Sequence, residues 1–172
     1  STFLATGFSD VNAEITAKLM VEADISGQDG HGIFRLPQYI RRLQAGGMNP
    51  NPAFKTLSER AATALIDGDN GIGHLVMSHA ADMAIEKAKT TGIAWVGAKM
   101  SNHAGPASLY TRRVLDSGMI GLYVAVGSAN HMPPWGGTEM LLSTNPISVA
   151  IPSKNNPSII LDMATTVAAY GK

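Results

Sequence analysis

The sequence predicts an α/β protein in which an N-terminal helical segment leads into a mixed sheet with flanking helices. Three observations point there. Residues 10–24 repeat apolar side chains at four-residue spacing, the mark of a helix. The middle of the chain alternates helical and extended patterns, which argues α/β layering. "MIGLYVAV" at 119–126 is an unbroken apolar run of strand length, as expected of a strand covered on both faces.

The elements follow in order. In the first helix Val11, Ile15, Leu19 and Ala23 form the expected stripe, with Ser9 or Asp10 as N-cap. The glycines of "ISGQDGHG" break it. A second helix is expected over 33–45, with Leu36, Tyr39, Ile40 and Leu43 buried, Pro37 in the first turn and Gly46-Gly47 as the stop. "MNPNP" is an extended connector. "FKTLSE" and "ATALIDG" read as short strands, and "DGDNGIG" as a turn with too few acids for a calcium loop. A long helix over 72–91 carries Val76, Ala80, Met83, Ala84 and Ala88 on one face and ends at Gly92. Strand "IAWVGA", helix "PASLYTRRVLDS", the apolar strand, strands "PISVAIP" and "SIILDM", and a helix start at "ATTVAAYGK" complete the chain. The expected division is a helical segment over 1–52 and an α/β region over 53–172.

Composition sets limits. The 172 residues are 45% hydrophobic and 15% charged, so a core can form. Formal net charge is zero and no Lys/Arg run occurs, which argues against a nucleic-acid partner. The adjacent pairs Arg41-Arg42 and Arg112-Arg113 read as solvated helix faces. The lack of cysteine excludes disulfides, Cys–zinc sites and thiol nucleophiles, and is compatible with the cytoplasm. No apolar run reaches membrane-spanning length, and the first ten residues lack a signal-peptide pattern. The chain starts without Met and stops inside an apparent helix, so a fragment of a larger protein is expected.

Standard cofactor fingerprints are missing. "GIGHLV" lacks the third glycine of a Rossmann loop, and "AAYGK" lacks the first glycine of a P-loop. No metal ligand set is read. His74 and His79 are five apart, so they do not share a helix face and read as packing or surface residues.

His31 stands between two glycines at a loop-to-helix junction, with Arg35 one turn on. A histidine suits proton transfer near neutral pH, and an arginine grips a carboxylate through two parallel hydrogen bonds. The pair has the groups a 2-oxo or 2-hydroxy acid needs. The alternative is a helix-capping histidine and an arginine paired with an acid. His103, in "MSNHAGPASLY", follows a strand and precedes a helix, where α/β folds place ligand contacts. Neighbouring Ser101 and Asn102 can cap the helix or bind a ligand. Asn145, before Pro146, can read a nicotinamide amide or a ribose, or satisfy a turn. Asp162 can accept from ribose hydroxyls, orient a histidine, or cap a helix.

Taken together, "DGHGIFRLPQYIRRLQAGGMNPNP", "ALIDGDNGIG", "GIAWVGAKMSNHAG", "PPWGGTEMLLSTNPISVAIP" and "LDMATTVAAYGK" resemble, in order and over nearly the whole chain, the malate/L-lactate dehydrogenase family. That family also includes ureidoglycolate, sulfolactate and diketogulonate dehydrogenases and an imine reductase. The resemblance implies a non-Rossmann nucleotide-binding fold, NAD or NADP as cofactor, a small 2-hydroxy/2-oxo acid substrate and a homodimer. It implies that the chain is roughly the N-terminal half of a family member. It puts His31 on a proposed proton donor, His103 on a histidine assigned as acid/base in some members, and Arg35 on the carboxylate clamp. Ser128, Thr144, Asn145 and Pro146 fall in segments that line the cofactor, as do Asp162, Met163 and Ala164. The family usually has Ser where this chain has Gly30. A cyclic 2-imino carboxylate reductase, and an inactive fragment that only binds nucleotide or self-associates, are the alternatives.

Overall fold

In the computed structural model, residues 2–127 and 129–167 are described. They fall into two compact units, Ser1–Leu109 and Tyr110–Lys172. The division expected after residue 52 is not where contacts thin out. Phe3, Phe8, Met20, Tyr39 and Met48 share one core with Ile72 and Leu75, so the N-terminal helices close over the following α/β segment.

In the first unit, α1 (Asp10–Ile25) is capped by Ser9, whose hydroxyl accepts the Asn12 N–H at 3.3 Å. Its buried residues are Ala13, Thr16, Leu19, Met20 and Ala23, whereas Val11 is 65% exposed. The expected stripe holds at Leu19 and Ala23, with Ile15 packed beside the core, and leaves the core at Val11 for a geometric reason. A strict four-residue spacing drifts by about 40° per step around a 3.6-residue helix, so it spirals off the core. Steps alternating three and four, as in 13, 16, 20 and 23, stay on one side.

The chain then makes two short 3-10 turns, Asp29–His31 and Ile33–Arg35, before α2 (Leu36–Gln44). The second helix therefore starts three residues later than expected. The turns are held from α1, since Asp24 Oδ2 accepts the Ile33 N–H at 3.0 Å. Tyr39 is buried, and Leu36, Ile40 and Leu43 pack around the same core.

β1 (Lys55–Glu59) pairs antiparallel with β2 (Thr63–Gly71), which pairs parallel with β3 (Trp95–Ser101). α3 (Gly73–Thr91) makes the crossover and buries Val76 and Ala80 against Ile66. "DGDNGIG" is not a free turn, because β2 runs through Gly71 with a bulge. The register slips between Asp67 and Gly71, where Asp69 and Asn70 take positive φ, as does Met100 across from them.

The helix expected over 106–117, which runs from the last residues of the first unit into the second, is broken. α4 (Ser108–Arg113) stops early, and a 3-10 turn follows at Leu115–Ser117. β4 (Gly121–Val124), β5 (Ile147–Ile151) and β6 (Ile159–Met163) form an antiparallel sheet in that order. One face carries Gly121, Tyr123 and Ser148. There Tyr123 stacks on Tyr110 with ring centres 5.5 Å apart, and Thr111 and Ser148 share a hydroxyl hydrogen bond of 2.8 Å. The other face aligns Leu122, Val149 and Leu161, then Val124, Ile147 and Met163. β4 was expected to be covered on both faces, but Leu122 and Val124 are 56% and 46% exposed. Within this unit, α4 lies only on the tyrosine side. The helix start expected from 164 lies mostly outside the described residues, and 165–167 form bends.

Candidate active site

The strand-end segment carrying His103 is fixed from three sides. The Gly73 N–H, at the start of α3, donates to the His103 carbonyl at 3.2 Å. Gly73 is needed for this approach: a Cβ there would lie 2.3 Å from the Asn102 carbonyl oxygen. The Asn102 N–H donates to Gly71 O at 3.0 Å, and its amide nitrogen to Asn70 O at 2.8 Å and Gly71 O at 3.1 Å. Its amide oxygen accepts Arg42 Nε at 2.7 Å. So Asn102 is occupied in joining β2, β3 and α2, and does not cap the next helix. Arg42 is exposed, as expected of a solvated face, and also takes part in this joint.

This scaffold presents His103 to residues far away in sequence. Its ring stacks with that of His31, centroids 5.6 Å apart and planes 14° from parallel. Its Nδ1 lies 2.6 Å from the Tyr39 hydroxyl and 3.3 Å from the Gly105 N–H. Tyr39 in turn meets His74 edge-on, ring centres 5.7 Å apart. His31, Tyr39 and His103 thus come together, with Arg35 on the same short segment as His31.

Arg35 is held rather than loose. Its Nε donates to Gly30 O at 2.8 Å and its Nη1 to Gln38 Oε1 at 3.0 Å. No carboxylate pairs with it among the described residues, so the expected alternative of an acid partner is not realised. Its positive charge is felt by Tyr39 and by His103.

The electrostatics follow from this crowding. Desolvation by the surrounding side chains, then the charges of His31 and Arg35, push the His103 imidazole down to about 4. Part of the His103 ring nonetheless stays open to solvent. Burial pushes the Tyr39 phenol up, which Arg35 partly offsets. His74 is fully buried with no hydrogen-bond partner on either ring nitrogen, and burial, then His103, push it down to about 3. His74 is thus the packing residue expected, while His79 stacks on Phe54 at 4.7 Å.

Sequence reasoning missed Tyr39 as a partner of His103, having read it only as core. The signal was faint: a tyrosine on the apolar stripe, where a phenylalanine would pack as well, implies a buried partner for its hydroxyl.

The residues expected at the cofactor gather in the second unit. Asn145, at φ 37°, accepts the Gly127 N–H on Oδ1 at 2.9 Å. The Ala125 N–H donates to Pro146 O at 3.2 Å. Thr165 ties the far segment in: its N–H donates to Thr144 O at 2.9 Å, and its hydroxyl to Thr144 O and Asn145 O at 3.2 and 3.1 Å. Ile147 opposite Met163 completes the corner, which brings together Thr144, Asn145, Pro146, Met163 and Ala164. Ser128 lies outside the described residues. Asp162 is one residue inside β6, opposite Ser148, and no helix follows it among the described residues. It therefore does not cap a helix. Burial, then the Asp162 charge, push the Tyr123 phenol up to about 12. Thr165 was not singled out from sequence.

Known proteins share this sequence and fold. L-sulfolactate dehydrogenase of Methanocaldococcus jannaschii is 42% identical over 166 residues, 96% of this chain and 48% of that one. The solved malate dehydrogenase of Pyrococcus horikoshii superposes with a TM-score of 0.93 at 38% identity, covering 99% of this chain and 49% of its own. Delta1-piperideine-2-carboxylate reductase of Pseudomonas syringae is more distant, at TM-score 0.83 and 26% identity, covering 97% and 50%. The chain spans about half the length of the curated relatives it matches. The sequence pattern described as malate/L-lactate dehydrogenase matches residues 1–172, end to end, and the chain belongs to that family.

Proposed function

We propose that the full-length protein is an oxidoreductase that interconverts a small 2-hydroxy acid and its 2-oxo acid with NAD or NADP. The observation that carries this reading is Arg35. Its guanidinium is tethered to Gly30 and Gln38, lacks an acidic partner among the described residues, and belongs to the segment that stacks His31 on His103. A cation so held, beside two imidazoles, suits a substrate with a carboxylate next to a carbonyl or hydroxyl.

In this reading Arg35 binds the carboxylate and fixes the neighbouring carbon. His31 or His103 gives a proton to the carbonyl oxygen in reduction and takes it back in oxidation. Much of the rate comes from placing the reacting groups correctly. A bound nicotinamide cofactor supplies the two-electron transfer at C2. The second-unit corner fits such a group. A Cβ on Gly127 would lie 1.9 Å from Ser143 Oγ, so the backbone is closely set there. With Asn145 Oδ1 committed to Gly127, the amide nitrogen is left as a donor for a carboxamide or ribose oxygen. Thr144, Pro146, Asp162, Met163 and Ala164 would line the same group. The same reading takes the protein as a cytoplasmic homodimer, an association that sedimentation of the purified protein would test.

A second reading is favoured by the likeness to delta1-piperideine-2-carboxylate reductase: reduction of a cyclic 2-imino carboxylate, with the clamp reused and nitrogen protonated in place of oxygen. The test is loss of NADH or NADPH absorbance by the full-length protein, offered 2-oxo acids and cyclic imino acids side by side. Turnover of 2-oxo acids supports the leading reading. Turnover of imino acids alone replaces it with the second, and turnover of neither overturns both.

A further inference from the structure

The two histidines of the site are not equivalent, and the difference lies in the backbone. We infer that Tyr39 and the Gly105 N–H together hold His103 as its Nε2–H tautomer. His103 then offers the substrate a hydrogen bond instead of a lone pair, and His31 takes the proton. This rests on the reading of the site as a 2-hydroxy/2-oxo acid site, and Tyr39 enters as a positioning residue.

The ring orientation comes first. A ring atom 2.6 Å from the Tyr39 hydroxyl has to be nitrogen, since a C–H there would be in collision. That settles Nδ1 toward Tyr39. The proton follows. A phenol can rotate and donate or accept, but accepting would leave the buried Tyr39 hydrogen with no partner among the described residues, so Tyr39 favours donating. A backbone N–H can only donate. The Gly105 N–H points at the same Nδ1 from 3.3 Å, so Nδ1 acts as acceptor and the neutral ring carries its hydrogen on Nε2. Tyr39 then donates as well. Its buried phenol, pushed up by desolvation, keeps its hydrogen, and the downward push on His103 keeps the ring neutral.

The chemistry of the site changes accordingly. To give up its Nε2 hydrogen, His103 would have to draw a proton from Tyr39 onto Nδ1, leaving a buried phenolate. To accept a second proton on Nδ1, it would have to face the Gly105 N–H with a hydrogen of its own. Both are opposed, so His103 polarises the carbonyl oxygen while remaining neutral. In reduction the carbonyl carbon gains the electron pair with hydrogen from the reduced nicotinamide, and the oxygen gains a proton from His31 as imidazolium. Oxidation returns both.

The test is long-range 1H–15N spectroscopy of the full chain with 15N-labelled histidine. The His31 and His103 rings are assigned by the loss of their signals in the His31→Gln and His103→Gln spectra. The wild type should show His103 protonated on Nε2 at pH 7. In Tyr39→Phe, which keeps the ring packing, the ratio of Nε2–H to Nδ1–H should fall roughly three- to tenfold, the scale of one net hydrogen bond. A wild-type His103 protonated on Nδ1 overturns the proposal without any substitution. An unchanged ratio in Tyr39→Phe removes Tyr39 from it. Because these spectra need no turnover, their failure is separate from failure of the dehydrogenase reading, which the absorbance assay decides alone.

Discussion

The two units handle their apolar residues in opposite ways. In the first, Ile66, Ile72 and Val76 are completely buried, and the polar site is assembled on top of that core. In the second, the covered side of the sheet carries Tyr123 and Ser148, while Leu122, Leu161 and Met163 stand out on the uncovered side. An apolar strand pattern is thus a demand for cover, and only the first unit meets it among the described residues. Fixed side-chain geometry is correspondingly concentrated there, where Asn102, Arg42, Gly73 and Tyr39 leave His103 little freedom.

That contrast can be broken by mutation. Ile66→Ala should cost about 2–5 kcal/mol, as expected for a large-to-small change in a closed core, read as a lower urea midpoint. Leu161→Ser, on the open face, should shift it by no more than about 0.5 kcal/mol. Comparable losses at the two sites would show that the second sheet is covered after all.

A smaller effect is set by pH. His74 and His103 have native values lowered to about 3 and about 4, below the ordinary histidine value of about 6.5. Below that ordinary value the unfolded chain takes up protons that the native chain refuses, so stability is full above about pH 6.5 and is lost as pH falls toward 4. Each refused proton costs up to about 1.4 kcal/mol per pH unit; the partial exposure of His103 reduces its share. His74→Leu, which replaces a ring without hydrogen-bond partners, should flatten the pH 6.5 to 4 slope of the urea midpoint. An unaltered slope would show that His74 finds a partner.

Arg35→Lys should mainly raise KM for the acid, with kcat less affected, because a lysine cannot reproduce the planar fork. Unchanged KM would remove the clamp. The smallest effect is expected from Gly30→Ser. A Cβ at Gly30 meets nothing within 4 Å and its φ is not positive, so stability should move by no more than about 0.5 kcal/mol. Any change in KM would then report the new hydroxyl near His31.

Much of the fold was legible because local signals and packing agreed. Ser9 and Gly92 mark helix ends where the sequence placed them. The bulge at 68–70 was not legible, since Asp, Asn and Gly signal a turn whether or not a neighbouring strand captures them. Nor was the break after Arg113, where no glycine or proline stands to signal it. His31, Arg35 and His103 could be picked out because each stands in a glycine-bearing loop next to a helix. Their contact could not, because it joins residues more than sixty positions apart through Tyr39, whose apolar surroundings disguised its hydroxyl.

The most direct test of the central claim is kcat for His31→Ala and His103→Ala in the full-length protein, with a 2-oxo acid and saturating NAD(P)H. At least one should fall by about a hundredfold or more, the lower end for general acid–base catalysis, and His31→Ala should fall further. If neither reaches that loss, the site formed by His31, Tyr39 and His103 is not where the proton moves.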